Sequence, residues 1–137
     1  MNFDFDEKQT RMNAKELLNK ARRMRSIVES QSYVRSPTMS HSPITHSNTN
    51  SEAVARMALK SAEAKEELNV INEAMNLMSE EQGLLLAKKY LDKNKKSDTD
   101  LYLNMNLAAS SFYKRVDKAL VEFAFCYRGG ELVVWKN

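Results

Sequence analysis

Cysteine is nearly absent from this chain: 137 residues hold one, Cys126. No disulfide can therefore close within it, and a reducing compartment, the cytoplasm, is the expectation. Glycine and proline are almost as scarce, at three and two. That scarcity argues against a fold built on many tight turns, and the Ala, Leu, Met, Glu and Lys found instead favour helix. No apolar run approaches the roughly 20 residues that a membrane helix needs. The start of the chain carries Asp4, Asp6 and Glu7, which is unlike a secretory signal, so no membrane partner is expected. Net charge is only +3, too small by itself to indicate nucleic acid. Gly-rich phosphate loops, nucleophile–base pairs and convergent carboxylates are missing, so neither an enzyme nor a cofactor is expected. His41 and His46, with one distant cysteine, lack the further ligands that a metal site requires.

What is present is helical periodicity. Across residues 8–28, Ala14, Leu17, Ala21, Met24 and Val28 recur at three–four spacing, widened by Leu18 and Ile27. This predicts an amphipathic N-terminal arm over residues 1–28. Residues 29–51 are rich in Ser, Thr and Asn and hold both prolines and both histidines. Such a composition cannot bury a core and reads as a flexible linker. Residues 52–137 then form the main domain. Its first segment places Val54, Met57, Ser61, Ala64, Leu68, Ile71, Met75 and Met78 at alternating spacings of three and four. That seam suits another helix: the C-terminal bundle for its last turns, and the N-terminal arm or a second copy of the chain for its first. A homodimer through residues 54–78 and the arm is one outcome; sequence leaves the arm's orientation open.

A capping box at Ser79 and Gln82 predicts a helix over residues 80–92, with Leu84, Leu85, Tyr90 and Leu91 inside. Gly129 and Gly130 stop the last helix, and residues 131–135 (ELVVW) have the content of a short extended tail. Such a strand lacks an evident partner. It either lies on the bundle and buries Trp135 or adds to a strand elsewhere.

Residues 97–124, SDTDLYLNMNLAASSFYKRVDKALVEFA, carry the most information. Ser97 and Asp100 form a second capping box, Leu101 and Met105 share a face, and Asn104–Asn106 supply a residue tolerant of left-handed backbone. Leu107 is placed to plug the corner. A second helix from about Ala109 sets Phe112, Val116, Ala119, Leu120 and Phe123 on one side. Its other side carries Ser110, Ser111, Lys114, Arg115 and Lys118, with Tyr113 nearby. This is the pattern of a helix-turn-helix, whose second helix reads the major groove with residues near its N-terminus. Small hydroxyls permit close approach, and Arg115 has the bidentate fork that suits guanine. Charge supports the assignment. Residues 1–35 carry eight basic and five acidic groups, and residues 79–97 carry five and three. The latter excess, Lys88, Lys89, Lys93, Lys95 and Lys96, lies just ahead of the motif, where Lys95 and Lys96 can meet flanking phosphates or simply solvate a helix end.

The stretch D-x-D-L-Y-L-x-M, followed by S-S-F-Y-K and A-L-x-x-F-A, resembles the C-terminal half of the ArpU family of phage late transcriptional regulators. That half is similar to region four of bacterial sigma factors. Residues 71–93, INEAMNLMSEEQGLLLAKKYLDK, resemble the helices that precede the motif in such proteins, and residues 36–40 (SPTMS) have a counterpart loop. The chain departs from the pattern at Ala108, where a capping Ser is usual, and at Asn106, where Gly is common. The resemblance implies an all-α helical bundle with a C-terminal helix-turn-helix. It also implies double-stranded DNA as partner, RNA polymerase as a further contact, control of late genes, and a bacterial host cell as the setting.

A second reading stays open. Asp98, Asp100, Asp117 and Glu122 lie close to the expected DNA face and repel phosphate. On that reading the chain is a helical interaction module whose heptad helices bind a partner and whose helix-turn-helix does not read DNA.

Overall fold

The computed structural model describes residues 1–34 and 48–137. The helices are α1 (Glu7–Asn19), α2 (Ala21–Val34), α3 (Asn48–Leu77), α4 (Glu80–Leu86), α5 (Asp98–Asn104) and α6 (Ala109–Cys126). A π-helical turn, Ala87–Leu91, prolongs α4, and a 3-10 turn, Tyr127–Gly129, follows α6. The fold is all-α. Among the described residues the β-type pairing is one isolated antiparallel bridge between Phe5 and Trp135.

Contacts divide the chain into two compact units, Met1–Arg22 with Val70–Asn137, and Arg23–Asn69. This division differs from the partition expected at 28 and 52. Residues 1–22 group with the unit that holds the helix-turn-helix, and residues 52–69 lie outside that unit. The helix expected over 8–28 is also interrupted, without Gly or Pro. The Lys20 N–H bonds back to the carbonyls of Leu17 and Leu18, closing α1. Arg22 donates to the carbonyls of Lys89 and Asp92 at 2.8 and 2.9 Å. Fastening Arg22 to that distant backbone fixes the chain's course just past the break, something periodicity does not encode.

In the larger unit α1 packs along α6. Asp6 caps α1 by accepting the Gln9 N–H at 3.0 Å. Ala14 and Leu18 are buried on α1, and Phe112, Val116, Ala119, Leu120, Phe123 and Ala124 on α6. The α6 residues are the stripe that periodicity picked out, extended by Ala124. Burying each large apolar side chain contributes about 1.5–3 kcal/mol. α4 shows a different solution from the expected one. A Cβ at Gly83 would stand 2.9 Å from the Met75 carbonyl oxygen, so backbone approaches backbone there. Gly83, Leu85 and Leu86 consequently face inward, and Leu84, expected inside, is 54% exposed. The Ser79 side chain forms no cap of its own. The Ser79 N–H instead donates to Glu122 Oε1 at 2.6 Å and its hydroxyl to Oε2 at 3.3 Å, so a carboxylate from α6 caps α4. Such an anion at a helix start also complements the dipole. Ile71, Met75 and Met78 from the heptad seam are buried.

The C-terminal tail has a partner after all. Beyond α6, Arg128, Gly129 and Gly130 take positive φ values of 45, 66 and 91° and turn the chain back. The Asp6 N–H then donates to Val134 O at 2.7 Å, and the Lys136 N–H to Asp4 O at 2.9 Å. Thr10 and Asn13 of α1 bond the backbone of Val134 and Leu132. Val133 is buried, whereas Trp135 remains 53% exposed against Phe5 and Phe125.

In the smaller unit, Gln31, Ser61 and Ala64 are buried, while Val54 and Leu59 are 56% and 64% exposed. The linker expected over 29–51 falls largely on residues 35–47, outside the described residues, with its loop at 36–40 and both histidines. Its flanks are helical, since α2 continues to Val34 and α3 starts at Asn48.

Candidate nucleic-acid interface

α5 begins as its sequence predicts: Ser97 Oγ accepts the Asp100 N–H at 3.1 Å. Its exit is a Schellman turn. The Asn106 N–H donates to Leu103 O at 3.1 Å and the Leu107 N–H to Tyr102 O at 2.9 Å, with Asn106 at φ 55°. This pair of bonds satisfies carbonyls that the helix end would leave open. Asn106 does the work of the more usual glycine, and Leu107 is half-buried in the corner.

α6 then starts at Ala108, which supplies a backbone carbonyl to the Phe112 N–H at 3.0 Å but no side-chain cap. The N–H groups of the first turn are thus left without a capping side chain, and a helix start in that condition attracts anions. Ser110, Ser111, Lys114, Arg115 and Lys118 are all exposed. Their spacing sets them together on the face opposite Phe112 and Val116. The cations are not equivalent. Arg115 Nη1 donates to Glu81 Oε1 of α4 at 2.5 Å, whereas Lys114 and Lys118 have no ion-pair partner among the described residues. Arg115 and Lys118 line a groove of about 220 Å³ with Ser79, Glu81, Gln82, Leu85 and Met105. Glu81 is the residue that sequence reading missed. Its only signal was an acidic pair following Ser79.

Tyr113 is 47% exposed, but its hydroxyl donates to Asp98 Oδ2 at 3.3 Å, and Asp98 Oδ1 accepts from Lys89 Nζ at 2.6 Å. Tyr113 thereby ties the start of α6 to the start of α5. Desolvation raises its phenol pKa, with Asp98 adding to the effect. Lys95 and Lys96 are exposed in the loop ahead of α5 and line a second concavity with Arg22, Lys89 and Tyr90. Burial pushes the Tyr90 phenol up to about 12, with the charges of Asp98 and Asp117 contributing.

The acidic residues near this face are mostly engaged elsewhere. Asp98 serves Lys89 and Tyr113, Asp117 stands 3.8 Å from Arg11 of α1, and Glu122 caps α4. Cys126 is a half-buried thiol with its pKa raised by desolvation and by Glu122. Among the described residues there is no cluster of His, Cys, Asp or Glu that could hold a metal, and no helix long and apolar enough to cross a membrane. No protein-family model, curated protein or solved structure matches the chain.

Proposed function

We propose that this chain is a DNA-binding transcriptional regulator that docks the outer face of α6 in the major groove of a duplex. One observation carries the reading: Lys114 and Lys118 stand exposed and unpaired beside Ser110 and Ser111, at the start of a helix with no capping side chain, behind a four-residue turn. That combination provides phosphate attraction, close approach and side chains long enough to reach base edges. Arg115 joins the reading face once its guanidinium exchanges Glu81 for the duplex. The ArpU-like motifs over 71–93 and 98–124 extend the proposal to phage or prophage late genes in a bacterial host, with RNA polymerase as a second contact.

The test is anisotropy titration of the full chain against duplexes from its own genomic neighbourhood at two salt concentrations. Binding whose log affinity falls linearly with log salt, by about 0.9 per neutralised phosphate, is expected. Absence of any salt-dependent association overturns the proposal. The competing reading, a helical interaction module, draws support from the exposure of Val54 and Leu59 on α3. It predicts self-association or partner capture that Val54→Asp and Leu59→Asp abolish while Lys114→Glu leaves it intact. A two-fold DNA site would suit a dimer formed along residues 54–78.

A further inference from the structure

The second concavity lies beside the helix-turn-helix rather than on α6. It measures about 220 Å³ and is lined by Asn19 and Arg22 from the α1–α2 corner, Lys89 and Tyr90 from the π-helical turn, and Lys95, Lys96, Ser97 and Asp98 ahead of α5. Four cations meet one carboxylate there, a net +3 within one hollow. The carboxylate is already compensated, since Asp98 binds Lys89 and Tyr113. Lys95 and Lys96 have no ion-pair partner among the described residues. Concave walls concentrate such a field more than a flat surface does.

The framework is held by its own bonds. Arg22 grips the carbonyls of Lys89 and Asp92, fixing the start of the lysine loop relative to α1. The π-helical turn, closed by the Asp92 N–H to Ala87 O bond at 3.0 Å, sets Lys89 Nζ 5.3 Å from the Tyr90 ring centroid. Tyr90 is 4% exposed, and its buried hydroxyl has no hydrogen-bond partner among the described residues. An unpartnered buried hydroxyl is costly, and native structures seldom keep one without a reason. The Ser97 hydroxyl accepts the Asp100 N–H and keeps its own proton to donate.

We propose that this hollow is a phosphate-binding site that takes a backbone phosphate of the duplex flanking the base pairs read by α6, with Lys95 and Lys96 as its principal cations. The source of the phosphate rests on the DNA-binding reading; the chemistry of the site does not. Sequence order explains the economy of the arrangement: the loop that carries the lysines leads directly into α5, so a phosphate held there sets the register of the whole helix-turn-helix.

The test compares the full-length chain with Lys95→Ala/Lys96→Ala and with Lys60→Ala/Lys65→Ala, which removes the same charge from α3. Each is titrated with a mixed-sequence duplex across a salt series, and separately with inorganic phosphate while the backbone amides of 95–97 are followed by NMR. The log–log salt slope is expected to become shallower by about 0.9 for the loop variant and to stay unchanged for the α3 variant. Phosphate, but not chloride at equal ionic strength, should shift the Lys96 and Ser97 amides of the unaltered chain. Equal slopes for the two double variants overturn the proposal while leaving the α6 reading intact. Phosphate-induced shifts in a chain that binds no duplex support the site for a free phosphate group and sink the DNA reading alone. No shift and no slope change remove the site altogether.

Discussion

The two sides of α6 obey different rules. On the inner side, Phe112, Val116, Ala119, Leu120 and Phe123 are all buried, and identity plus spacing suffices to place them. On the outer side, three cations are all exposed, yet one has an ion-pair partner and two do not among the described residues. Arg115 has Glu81 opposite it, contributed by a helix that starts 29 residues earlier in the chain. Along α6, burial follows each residue's own solvation energy and its spacing, which sequence carries. Pairing is decided by who arrives across the gap, which only the tertiary fold carries.

The sharpest way to break this contrast is Phe112→Ala. It should cost about 3–5 kcal/mol of unfolding free energy as a core truncation, read by urea denaturation. A loss of well under 1 kcal/mol would mean the inner stripe is not the packing element described. Next in size, Lys114→Glu should weaken duplex binding by about 1–3 kcal/mol and leave the urea midpoint in place; a shifted midpoint would show that the outer face also holds the fold. Ser97→Ala should cost about 1 kcal/mol through the lost cap on α5. Ser79→Ala should cost only a few tenths, because its backbone N–H, not its hydroxyl, makes the short bond to Glu122. Equal losses at the two serines would contradict that distinction. The smallest effect is expected for Glu81→Gln. Releasing Arg115 from an exposed ion pair should tighten duplex binding by a few-fold, since such pairs are worth about 0–1 kcal/mol, with no measurable change in stability. Weaker binding in that variant would mean that Glu81 holds Arg115 in its working pose.

The same division explains how far the sequence could be read. The α5 start at Ser97, the left-handed exit at Asn106 and the α6 stripe were legible because each is settled within a turn or two of backbone. The second box, Ser79 and Gln82, uses the same local grammar as Ser97 and Asp100. It fails as a self-cap because Glu122, with a full negative charge, takes the Ser79 N–H that the Gln82 side chain would accept. Gln82 Oε1 is left without a partner among the described residues. Leu84 looked like a core residue until the close approach of Gly83 to Met75 set the rotation of α4. The break at Lys20 and the docking of residues 1–22 depend on Arg22 and on the tail, neither of which periodicity reports. Of the candidate site, sequence placed the serines and cations of α6 on one face, and it named Lys95 and Lys96. It was silent on Glu81, on Tyr113 as a tether, and on the hollow that Arg22 helps to build.

The clasp between residues 4–6 and 134–136 has a consequence for how the protein is made. Thr10 and Asn13 wait for partners 124 and 119 positions downstream, among the longest-range links in the molecule and the most expensive in loop entropy. α1 is made before every element it packs against, so its inner side is covered only when α6 docks and is locked only when residues 132–136 close over it. Until α6 docks, the apolar side of α1, with Ala14 and Leu18, has no roof. A variant cut after Gly130 would keep the helix-turn-helix and the packing of α1 on α6 but lose the bonds of residues 4–13 to the tail. Limited proteolysis should then reach α1 sooner than in the uncut chain.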